Sequence, residues 1–204
     1  MGYSESDERS MAHWFQAHAP SRTSTCPDKN DYVSWLSLMQ HYGLPTRLLD
    51  WTESIMVAAF FAVEKHEGGS AAVWALAPDS FNKMQGWSRG IQCSNGEVAL
   101  ACAAAAFGDF THGEEHRKKT VAVILDEIDS RMMVQQGRFT IHGTSTPLNR
   151  LPQTENYLAK FEVPDSARAY LRNDLVLLGI ERHALFPDLQ NLAEHVKKMT
   201  FRQH

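Results

Sequence analysis

QHYGLPTRLLDWTESIMVAAFFAV, residues 40–63, decides the reading of this chain. A polar turn carrying His41, Arg47 and Asp50 runs straight into a nearly unbroken apolar block. Gly43 permits a left-handed backbone and Pro45 fixes one dihedral, so the turn is stiff. An Arg and an Asp beside a buried helix are costly to place unless they pair or bind something. Arg47 offers a planar fork for a carboxylate or a phosphate. Asp50 can be its partner or can cap the following helix. On residue chemistry alone, an internal clamp of Arg47 and Asp50 on the backbone of Thr52 and Glu53 outweighs a ligand site. His41 reads as a general base, a ligand donor or a histidine satisfied by a backbone carbonyl. Tyr42 and Trp51 read as stacking surfaces for a planar ligand or as core aromatics.

A length of 204 residues suits one domain, or one domain with a small appendage, able to bury its own core. The formal net charge of -4 argues against a general nucleic-acid binder. Cys26, Cys93 and Cys102 are widely spaced and form no CxxC pair, which points to a reducing cytosol and to no structural zinc. Cys102, inside ALACAAAAF, reads as a small buried hydrophobe. The apolar run 55–63 is too short to span a bilayer, and MGYSESDERS lacks a signal-peptide core. Met1-Gly2 with Ser6 matches the loose myristoylation pattern, but no polybasic segment follows. The expectation is a cytoplasmic protein with no membrane partner and no metal.

Working outward, residues 6–18 predict an amphipathic helix with Met11, Trp14 and Phe15 on one side. Residues 19–30 predict a polar loop. Asp31 is placed to cap a helix over 31–42 that Gly43 stops. Thr46–Trp51 reads as extended or irregular. Thr52 is the expected N-cap of a central core helix, 53–65, which Gly68-Gly69 ends. Ala71–Ala77 predicts a buried strand, 98–107 a helix, 121–125 a strand and 127–135 a short helix. Gly137 is expected to begin a turn into a strand at 139–142. Tyr157–Val163 predicts a strand, then come helices from 164 to about 178, ended by Gly179, and over 184–199. Helices early and strands later give an α+β class, with helices packed on a small mixed or antiparallel sheet.

HGEEH (112–116) has the i, i+4 histidine spacing of a zinc helix. Gly113 stands where the general-base Glu would be, so a solvated charged loop is the stronger reading.

The run from Gln40 to Ser54, followed by Ala58, Phe61 and Ala62, resembles the signature of the FRG domain family. Arg131, Gln135, Gln136, Gly137 and Phe139 resemble the family's later Gln-Gly-Phe motif. Leu185 to Leu189 (LFPDL) resembles its C-terminal motif. The family's early aromatic-Arg-Gly strand has no counterpart in the first 40 residues. The expectation is therefore a single FRG-like domain over 1–204, either shortened or divergent at its N-terminus, with 1–30 peripheral.

The resemblance implies bacterial or phage proteins, some in conflict and defence settings. Their motif order is similar to that of ADP-ribosyltransferases. On that analogy residues 40–54 line a small-molecule pocket and NAD is the candidate substrate. His41, Arg47, Asp50 and Gln136 would be the catalytic candidates, and Tyr42, Trp51, Thr52 and Ser54 would bind the nucleotide. Gln136 cannot serve as a base, because an amide accepts no proton near neutral pH. The alternative is a non-catalytic binding or sensor module, for a small molecule or a protein partner, in which the same residues brace the fold.

Overall fold

The computed structural model describes residues 4–65, 69–88, 90–126 and 129–201. The expectations placed on Met1-Gly2, on Gly68 and on the start of the 127–135 helix lie outside these residues. The chain clusters into two compact units, each assembled from three stretches: 1–50, 76–126 and 138–158 form the first, and 51–75, 127–137 and 159–204 the second.

The elements follow from local signals. α1 (Glu5–His18) opens on a capping box between Ser4 and Asp7. Its Ala12 is fully buried while Trp14 is 68% exposed, so the inward face is not the aromatic one. α2 (Tyr32–His41) is capped by Asp31, whose Oδ1 accepts from Ser34 N at 3.1 Å. It ends in a Schellman turn: Gly43 N donates to Gln40 O at 2.9 Å and Leu44 N to Met39 O at 3.0 Å. Gly43 holds φ +83° there.

β1 (Leu48–Thr52) takes in Thr52, so the cap of α3 (Ile55–Glu64) falls to Ser54 instead, whose Oγ accepts from Val57 N. The chain continues through β2 (Ala71–Leu76), α4 (Pro78–Met84), β3 (Gln92–Cys93) and α5 (Glu97–Ala104). Then come α6 (Glu114–Arg117), β4 (Thr120–Ile124), α7 (Ser130–Val134) and β5 (Gly137–His142). β6 (Leu158–Val163), α8 (Asp165–Leu177), α9 (Arg182–Leu185) and α10 (Leu189–Phe201) complete it. The turn before β5 sits on Gln136, at φ +50°, and Gly137 already belongs to the strand. The helix expected over 184–199 is two, because the chain leaves helical geometry at Phe186 before Pro187 and restarts from Asp188.

The first unit is built around a mixed sheet ordered β1-β5-β4-β3. β4 pairs antiparallel with β5 (Val121 with Ile141) and parallel with β3 (Gln92 with Val123). β3 is too short to cover the start of β4, and side chains take its place. Fully buried Asn82 accepts from Ala122 N at 2.8 Å and donates to Ala122 O at 3.0 Å. Gln85 receives Thr120 N, and Trp87 Nε1 donates to Thr120 O. These bonds satisfy a buried edge that would otherwise hold unpaired backbone groups.

The second unit holds the β2-β6 ribbon and a core of Val57, Ala59, Phe60, Val63, Leu175 and Leu185. α3 ends at Glu64, and among the described residues its last carbonyls are met by side chains from elsewhere. Its end is held by arginines of α8, since Arg172 donates to Val63 O and Arg168 to Lys65 O and Gly69 O. β2 is half-exposed where burial was expected, and α3 leaves Ile55 and Phe61 open to solvent. The class is α+β, as the pattern implied. No helix among the described residues is long and apolar enough to cross a membrane.

Candidate functional site

Arg47 leaves the Gly43 turn just before β1 and points into the first unit. Its Nε and Nη2 donate to the two carboxylate oxygens of Glu8 at 2.9 and 2.5 Å. Its Nη1 donates to Cys102 O at 3.0 Å. The two side chains are 11% and 16% exposed. This is a forked, nearly buried ion pair, the geometry in which a guanidinium is strongest and least available to a ligand. The expected partner, Asp50, is not in the pair. Glu8 lies in the segment expected to be peripheral, and no local signal in α1 sets it apart from its neighbours Glu5 and Asp7.

Asp50 is exposed and accepts from Gln40 Nε2 at 2.8 Å. Gln40 Oε1 in turn receives Thr46 Oγ1, which also takes Leu48 N at 3.2 Å. One amide thus ties the end of α2 to both ends of the segment entering β1. His41 and Tyr42 face solvent with their rings edge to face, 4.9 Å between centroids.

Two groups buried near Arg47 are tuned by their surroundings. Burial, followed by the Arg47 charge, pushes His142 down from 6.5 to about 4. His142 N donates to Arg47 O, and its Nε2 lies 2.9 Å from Thr140 Oγ1. Burial pushes the Cys102 thiol up to about 12, against the pull of Arg47 and Lys119. That thiol is an inert core group, as its sequence context suggested.

The remaining candidates belong to the second unit. Trp51 is half-buried in β1. Thr52 Oγ1 donates to Gln135 O at 2.7 Å and accepts from Ser54 N at 3.0 Å. Glu53 N donates to Gln136 O at 3.2 Å, and Gln136 is exposed. Gln135 Nε2 reaches Leu185 O at 2.8 Å. Beside it the Phe186 ring lies under the guanidinium groups of Arg131 and Arg182, at 4.5 and 4.4 Å, and meets Phe61 edge-on. The later Gln-Gly-Phe-like and LFPDL segments therefore meet through one amide and one aromatic ring.

Sequence reasoning missed one feature of the first unit, a cavity of about 290 Å³ lined by Asp28, Asn30, Asp31, Ser94, Asn95, Leu100 and Asp126. Its lining comes from three separated loops and turns and from Leu100 of α5, and no spacing in the sequence announces it. The last three residues of HGEEH open the short α6, and its His116 is half-buried and stacked on Trp87.

These features define an α+β protein whose signature residues are engaged with its own backbone and side chains. The FRG domain family model matches residues 2–70, about a third of the chain. The match takes in α1 and Glu8 together with the 40–54 signature. No curated protein and no solved structure matches the chain.

Proposed function

We propose that this chain is a binding or sensor module in which the FRG signature braces the fold, and that it does not consume NAD. The carrying observation is the closed Arg47–Glu8 fork. An arginine meant for a phosphate would be expected to present its donors to solvent, whereas here Nε, Nη1 and Nη2 are all engaged internally. Thr52 and Ser54 are likewise engaged with backbone groups, and Gln136 supports a turn. The acidic cavity disfavours the diphosphate of a nucleotide, because Asp28, Asp31 and Asp126 would repel it. The exposed His41–Tyr42 pair offers an amphipathic contact for a protein partner or an uncharged small molecule.

The rival reading is an ADP-ribosyltransferase-like enzyme, with His41 as proton carrier. Incubating the full chain with labelled NAD separates the two. The expected result is no nicotinamide release and no binding in calorimetry. Arg47→Ala should destabilise the fold by about 3–5 kcal/mol in urea titration, because it strands Glu8 in a nearly buried position. Nicotinamide release that His41→Ala abolishes without changing stability would overturn the proposal.

A further inference from the structure

A cluster of potential metal ligands lies in the second unit, none of it among the 40–54 signature residues. Glu181 precedes α9, His183 lies within α9 and His195 lies on α10. One ligand atom from each falls within 4.8 Å of the others, and all three residues are half-buried. His195 Nδ1 is 3.7 Å from Glu181 Oε2, and the two imidazoles stack with centroids 3.5 Å apart. Ligands bound to one tetrahedral zinc at about 2.0–2.1 Å stand about 3.4 Å from each other. The three ligand atoms are therefore within reach of one ion, and because the stacked rings lie 26° from parallel, one imidazole must rotate for both in-plane lone pairs to converge on it.

The surroundings are consistent with such a set. Among the described residues neither imidazole hydrogen-bonds a backbone carbonyl, unlike His13, whose Nε2 sits 2.9 Å from Phe107 O. The nearest cation in sequence, Arg182, is already engaged with Glu64 and Asn191. Asn191 is itself held by Asp188. α10 buries no residue, so little apolar packing holds it in place. An ion shared by α9 and α10 would supply that tether.

We propose that Glu181, His183 and His195 bind a divalent transition-metal ion of the zinc class, with a fourth position left for water. Two imidazoles and one carboxylate suit zinc better than calcium or magnesium, which prefer all-oxygen shells. The ion joins α9 to α10.

The test uses the full chain without a histidine tag, stripped of metal and titrated with zinc against a chromophoric chelator. One zinc per chain is expected, with His183→Ala, His195→Ala and Glu181→Gln each weakening it at least about tenfold. His112→Ala and His116→Ala, in the HGEEH segment of the other unit, should leave it unchanged. Cobalt should give the intense visible bands of a four-coordinate site, and these should be lost in His195→Ala. Glu181→Gln keeps size and shape, so it decides the matter if an alanine variant fails to fold. Absence of stoichiometric zinc, or zinc binding unaltered in Glu181→Gln and either histidine variant, would overturn the proposal.

Discussion

At the scale of single residues, burial decides what a side chain can do. The sequence reads Arg47 as clamped with Asp50, the acidic neighbour its local sequence offers. The fold supplies Glu8 from α1 and a carbonyl from α5, and both lie far away in sequence. The same burial sets a pH dependence through His142. Its folded pKa, about 4, lies below the ordinary 6.5 of an unfolded chain, first because it is buried and second because Arg47 is close. Between those values the unfolded chain binds more protons, so stability is full above about pH 6.5 and falls as pH drops toward 4. At about 1.4 kcal/mol for each pH unit of separation, the loss is about 3 kcal/mol. Urea titrations of wild type and His142→Gln at pH 7 and pH 4.5 check this. The variant should lose distinctly less stability on acidification, and an equal loss in both would contradict the assignment.

At the scale of elements, termini were legible where a cap or a stop is local. Asp31 works through its carboxylate on Ser34 N, and Gly43 and Gly179 through positive φ (+83° and +76°), all within a few residues, and each is readable. Thr52 was misread as a cap because its role depends on Gln135 O, which is remote in sequence. The edge of β4 was unreadable for the same reason, since Asn82 substitutes for a strand that β3 does not complete. Two glycines separate local from remote demands. Gly43 needs φ +83°, but a Cβ there would meet nothing within 4 Å. Gly43→Ala should therefore cost only the left-handed penalty, about 1–2 kcal/mol. A Cβ on Gly143 would instead run into the carbonyl oxygens of Arg117 and Lys119. Gly143→Ala must move backbone that ends β5, so thermal melts should show a much larger loss than for Gly43→Ala.

At the scale of the whole molecule, family resemblance and folding unit have different boundaries. The family model ends at residue 70. The first compact unit takes only residues up to 50 from that span and draws the rest from 76–126 and 138–158. Inside that unit His13 reaches Phe107 O, Arg47 reaches Cys102 O, Tyr32 stacks on Phe107 and β1 pairs with β5. A fragment covering 1–70 would keep every residue of the 40–54 signature and lose all of those partners. It would also leave the Arg47–Glu8 pair without the packing that shields it, and an exposed pair contributes about 0–1 kcal/mol. The isolated helices α1 and α2 are short enough to be marginal without tertiary packing. The 1–70 fragment should therefore show weak helical circular dichroism, no cooperative melt and collapsed amide dispersion, while the 204-residue chain melts cooperatively. A cooperatively folded 1–70 fragment would mean that the signature is self-sufficient and that the brace described for Arg47 is dispensable.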